Sequence, residues 1–162
     1  MLHTAVVTPD EAGSFELGTD GPTAILVGFD GSTTSLRAAA YAAGLARRQH
    51  ARLIAVYVGS LSSMSGGAPA ADAVFLAAHA EAFEGAAAEL RRRAEEMARE
   101  RDISVTFVAT CGDSFAELHR IAAEVRADAI VVGASAKAGH RLVGSLAIRL
   151  VRAAKWPVTV VP

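Results

Sequence analysis

Ala129-Ile130-Val131-Val132-Gly133 is an unbroken apolar run that ends on glycine. It is followed by Ala134-Ser135-Ala136-Lys137-Ala138-Gly139-His140-Arg141-Leu142-Val143-Gly144-Ser145, and then by an amphipathic stretch. An apolar run of this length reads as a strand covered on both faces, which is the habit of a parallel sheet. A loop of small residues leading from such a strand into a helix exposes backbone N–H groups. Together with the helix dipole they form an anion site. The ligand this points to carries phosphate.

Working outward, the same strand-then-helix unit recurs. Thr23-Ala24-Ile25-Leu26-Val27-Gly28-Phe29 is a second continuous apolar run, closed by Asp30-Gly31-Ser32, with Asp30 or Ser32 as the expected helix cap. The helix after it should bury Leu36, Ala39, Ala40, Ala43 and Ala46. Residues 52–58 form the next strand, and 59–71 a Ser-, Gly- and Ala-rich loop long enough to act as a flap. The spacing predicts a long helix from about Asp72 to Arg101, buried along Leu76, Phe83, Ala87, Leu90, Ala94 and Met97. A strand at 103–109 follows, then a helix capped within Gly112-Asp113-Ser114. The fourth helix should use Val143, Ala147, Leu150, Val151 and Ala154, and Pro157 to Val161 close the chain as a fifth strand. The sum is an α/β fold: one doubly wound, five-stranded parallel sheet, Rossmann-like, with helices on both faces. Residues 1–21 read as a flexible tail and 22–162 as the single domain. Ligands in such sheets bind beyond the carboxyl ends of the strands, where strand order reverses. If strands one and four are neighbours, Asp30 and Gly133 flank one crevice.

Composition narrows the function. The chain has 162 residues, 52% hydrophobic and 20% charged, with a formal net charge of −1. That balance argues for a globular domain and gives no electrostatic reason to expect nucleic acid or a membrane surface as partner. Cys111 is the only cysteine, so no internal disulfide is possible and a reducing, cytoplasmic setting is expected. A small buried hydrophobe is its default role. The five histidines are scattered without metal-ligand spacing. Gly139 to Ser145 partly mimics a P-loop but lacks the lysine and follows the wrong strand.

Taken together, three stretches resemble the universal stress protein family, the UspA-like domains. They are Ile25-Leu26-Val27-Gly28-Phe29-Asp30-Gly31-Ser32, then Gly112-Asp113 leading to Ala127-Asp128-Ala129-Ile130-Val131-Val132-Gly133, and then Gly144-Ser145 leading to Trp156-Pro157-Val158-Thr159-Val160-Val161. The resemblance runs from about Pro22 to Pro162. It implies a stress-response module whose binding members hold ATP or another adenine nucleotide, with Mg²⁺ alongside, in a loop like G-x2-G-x9-G-S/T. Gly133 matches its first glycine and Gly144-Ser145 its closing pair. Ala136 stands at the second glycine, the loop is two residues shorter, and Gly139 is a displaced candidate. By position, Asp30 falls near ribose and adenine, the backbone of Val56 borders adenine, and Gly133, Gly144 and Ser145 face phosphate. His140 and Arg141 lie in the same loop, and arginine suits bidentate phosphate contact.

Two readings stay open at several of these positions. The glycines serve phosphate or simply permit tight turns. Asp30 serves a ribose or caps a helix. At the level of the protein, the first reading is a nucleotide-binding module that is not an enzyme, any hydrolysis being slow for want of a base or a metal-binding carboxylate pair. The alternative is a dimeric interaction protein of the same family without nucleotide. An adenylyl transferase is disfavoured, because Phe29-Asp30-Gly31-Ser32 stands where a histidine signature is expected. The terminal strand Val158-Thr159-Val160-Val161, at a sheet edge, should pair with its copy in a homodimer, which the resemblance also implies.

Overall fold

The computed structural model describes residues 21–59, 73–135 and 144–162. Its elements run β1 (Ala24–Gly28), α1 (Thr33–Gln49), β2 (Arg52–Gly59), α2 (Ala73–Arg101), β3 (Val105–Cys111), α3 (Ser114–Glu124), β4 (Ala129–Gly133), α4 (Ser145–Ala153) and β5 (Val158–Val161). All strand pairs are parallel, in the order β3-β2-β1-β4-β5. The expected doubly wound sheet is therefore present, with strands one and four side by side. The tail at 1–21, apart from Gly21, and the loop at 59–71, apart from Gly59, lie outside the described residues.

Alternation along the strands sorts the core into two layers. Ile25, Val27, Leu53, Ala55 and Val131 face α1 and α2, whereas Leu26, Ile54, Val56, Ile130 and Val132 face α3 and α4. α1 meets the sheet through Ser35, Ala38, Ala39, Ala42, Ala43 and Ala46. Small side chains let this helix lie close on the strands, and close approach matters below. No helix among the described residues is long and apolar enough to cross a membrane.

Several expected faces are displaced. Leu36 is 39% exposed, because the buried face of α1 is centred one residue earlier, on Ser35. Leu76 is 43% exposed. α2 has 29 residues and β2 eight. At roughly 1.5 Å and 3.3 Å per residue, the helix overhangs the strand by more than 15 Å. Val151 is 55% exposed, since α4 has nine residues and buries only Ala147 and Leu150. Cys111 is exposed rather than buried, because it is the last residue of an edge strand. β5 begins at Val158, one residue after Pro157, whose carbonyl still accepts from the Ile130 N–H at 3.0 Å.

Candidate functional site

The sheet order reverses between β1 and β4, and a cleft of about 310 Å³ opens there at the carboxyl ends of the strands. It lies on the α3/α4 side. Gly28, Val56, Val58 and Val132 contribute from the strands, Ser114 and Leu118 from α3, and Gly144 to Ala147 from the start of α4. Because β2, β1 and β4 are adjacent in that order, one end of the cleft belongs to β2 and α3, the middle to β1, and the other end to β4 and α4.

Asp30 stands in the middle, just past β1. Its Oδ1 accepts the Ser32 N–H at 2.9 Å, closing an Asx turn. The cap of α1 is Ser32, not Asp30: the Ser32 Oγ accepts the Ser35 N–H at 3.2 Å. Burial pushes the Asp30 carboxyl upward, but hydrogen bonds from the Ser32 hydroxyl and N–H and from the Ser35 hydroxyl outweigh it and hold the group below the usual range. Asp30 is therefore a carboxylate at neutral pH, and the only ionisable side chain among the described residues lining the cleft.

Val56 lines the cleft with its side chain, but its carbonyl accepts the Phe29 N–H at 2.8 Å and is spent within the sheet. The open backbone belongs to Val58. β1 stops at Gly28, opposite Val56, whereas β2 runs on to Gly59. In a parallel ladder alternate residues turn their N–H and C=O to the same neighbour. Those of Val58 point to the β1 side, where no strand remains. Sequence reading misses this residue because the signal is a difference in strand length, which neither run displays alone.

Gly133 ends β4 against the first turn of α1. A Cβ there would lie 2.6 Å from the Thr34 carbonyl carbon and 2.8 Å from the Ser35 nitrogen. Gly144 is the cap of α4, and a Cβ on it would come within 2.8 Å of the Ser135 Cβ. Both glycines thus have a packing reason. Ser145 is the first residue of α4 and lines the cleft. Ala136, Gly139, His140 and Arg141 lie outside the described residues.

The helix starts differ in one respect. α1 and α3 have side-chain caps, Ser32 and Asp113, but Gly144 gives α4 none and no acidic residue sits in its first turn. Its first intrahelical bond is from the Ile148 N–H to the Gly144 carbonyl at 3.1 Å. The amides of Ser145, Leu146 and Ala147 precede that bond, and all three residues line the cleft. Such a terminus attracts an anion.

A larger cavity of about 640 Å³ lies at the opposite end of the sheet. There Arg47, Arg52 and Arg101 face Glu100 and Asp102, with Asp128 close enough to Arg52 to feel its charge. Three cations against three carboxylates, at the C-terminal ends of two helices, leave no excess charge to select a ligand. Among the described residues no three His, Cys, Asp or Glu side chains form a metal-holding group.

Residues 23–162 match the model of the universal stress protein family. A universal stress protein of Methanocaldococcus jannaschii is 32% identical over 139 residues, covering 85% of this chain and 80% of that one. Among solved structures, UspA from Lactobacillus plantarum superposes with a TM-score of 0.74 at 28% identity, covering 86% of this chain and 97% of the other. A family member from Arabidopsis thaliana with AMP bound gives a TM-score of 0.62 over 86% and 91% of the two chains, and at 17% identity speaks for the fold alone. The family match spans nearly all of the described sheet and both walls of the cleft, and the chain belongs to the universal stress protein family.

Proposed function

We propose that this protein is a cytoplasmic stress-response module that binds an adenine nucleotide in the cleft between β1 and β4. The observation that carries the reading is the pairing of two backbone features, without a partner among the described residues, at opposite ends of one cavity. At one end Val58 offers an N–H and a C=O in the geometry of a missing strand, which suits the donor–acceptor edge of a planar base. At the other, the start of α4, whose Gly144 supplies no side-chain cap, offers amides to phosphate. Asp30 stands between them as an acceptor for ribose hydroxyls. AMP is bound in the Arabidopsis thaliana protein of the same fold, and it is the ligand class we carry over to this cleft for testing. Among the described lining residues Asp30 is the lone ionisable group, and its place between the two ends suits holding a ligand, so we read the site as a receptor rather than a hydrolase.

The packing roles of Gly133 and Gly144 favour a second reading, in which the glycines serve the fold and the protein acts through partners as a homodimer. Calorimetric titration of nucleotide-free protein with AMP, ADP and ATP in Mg²⁺ separates the two. Micromolar or tighter binding, weakened by Asp30→Asn, is the expected result. A folded sample that gives no heat with any of the three rejects the nucleotide reading.

A further inference from the structure

Six of the ion pairs among the described residues join side chains no more than four positions apart on one helix. The pair Arg149–Asp113 is different: it joins residues 36 apart, on α4 and at the cap of α3. The contact is a fork. Arg149 Nη1 donates to Asp113 Oδ2 at 2.8 Å and Nη2 to Oδ1 at 2.9 Å. The guanidinium also lies over the Phe115 ring, 4.4 Å from its centroid, so the fork is held in place before it grips. Asp113 in turn accepts the Ala116 N–H at 2.9 Å and starts α3.

The two helices so joined wall the cleft on one face of the sheet, with the start of α1 lining it as well. α3 supplies Ser114 and Leu118, and α4 supplies the amides at Ser145, one turn before Arg149. Both partners are about half exposed, and an exposed pair adds little to global stability unless its geometry is fixed. What a bidentate, stacked pair can fix is spacing.

We propose that Asp113 and Arg149 are positioning residues that clamp the starts of α3 and α4 together and so set the grip of the cleft on its ligand. In its ligand arm this rests on the nucleotide reading above; in its structural arm it does not. Neither residue is among those lining the cleft. Trp156, the only tryptophan, reports on the same contact, since its ring meets His119 edge-on at 5.0 Å and His119 meets Phe115 at 5.7 Å.

The test uses Arg149→Met, Asp113→Asn and the double variant. Asparagine keeps an oxygen for the Ala116 N–H, so the cap survives. Each single change is expected to weaken AMP or ATP binding about fivefold, and the double change no further, as for two members of one contact. Arg149→Lys keeps the charge but not the fork and should restore only part of the affinity. Without ligand, Arg149→Met should speed amide exchange at Ser114–Ala116 and Ser145–Ala147, leave the strands unchanged and shift Trp156 emission. Unchanged exchange at both helix starts overturns the clamp, as does wild-type affinity in both single variants. If the wild-type protein binds no nucleotide, the nucleotide reading falls, and amide exchange alone decides the clamp.

Discussion

A methyl group means opposite things at Gly133 and Gly85. At Gly133 it would press on the Thr34 carbonyl and the Ser35 nitrogen, all backbone, so α1 would have to move off the sheet. Gly133→Ala should cost about 1–3 kcal/mol, read as a lower denaturant midpoint at constant slope. It should also weaken any cleft ligand, because Thr34 and Ser35 line the same cavity. At Gly85, within α2, nothing lies within 4 Å. Gly85→Ala should raise the midpoint, by about 0.5–1 kcal/mol, through helix propensity alone. A Gly133→Ala protein as stable as wild type would show that α1 can yield, and the packing argument would fail. The glycine at 133 is legible in the sequence, but its tight partner is not, because Thr34 and Ser35 are a hundred residues away along the chain. The same limit separates Val56 from Val58. The run Leu53 to Val58 is visibly a strand, yet which of its residues outlasts β1 depends on where a different segment stops.

Between elements, Asp128 ties the start of β4 to the start of β1. Its Oδ2 accepts from the Thr23 N–H at 2.7 Å, the Thr23 hydroxyl at 3.0 Å and the Ala24 N–H at 2.9 Å. Desolvation would raise this carboxyl, but the Ala24 and Thr23 donors and the charge of Arg52 overcome it and hold the group below its usual value. A folded-state value below the unfolded one contributes stability that is complete above the unfolded pKa. It is lost as pH falls from there through the folded value. Asp128→Asn should therefore lower stability by about 1 kcal/mol at neutral pH, solvent keeping it at the low end for a charged acceptor. The deficit should vanish at low pH, so the variant has a flatter acid limb in thermal melts from pH 7 to 2. A constant deficit at every pH would assign the effect to packing. Helix faces are also decided at this scale. Alanine is too small to mark a face by hydrophobicity, so α1 reads equally well with Leu36 in or out, and only its approach to β1 and β4 places Ser35 inside.

For the molecule as a whole, topology was the most legible level. Two continuous apolar runs separated by helical stretches require parallel crossovers, and a right-handed path leaves few strand orders. The surface at β5 then takes on meaning that no local pattern carries. Of the five large hydrophobic side chains exposed among the described residues, Leu36 and Tyr41 lie on α1, and Ile148 and Val151 on α4. These are the two helices that pack beside the edge strand β5, one on each face of the sheet. The carbonyls of Pro157 and Val161 accept from Ile130 of β4 and from Ala134 just past it, so by alternation Val158 and Val160 turn their backbone groups away from β4. Exposed apolar side chains on the two helices bordering an edge strand with no second neighbour among the described residues suit a surface that pairs with its own copy across a two-fold axis. We infer a homodimer joined through Val158, Thr159, Val160 and Val161. Val151→Lys places a charge on the border without touching the monomer core, since the side chain is already exposed. Val160→Pro removes an outward N–H that β4 does not use. Sedimentation at micromolar concentration should give a dimer for the wild type and a shift toward monomer in both variants. In Val151→Lys the far-ultraviolet spectrum should stay unchanged. A wild-type monomer under those conditions would leave the apolar border of β5 to a different partner.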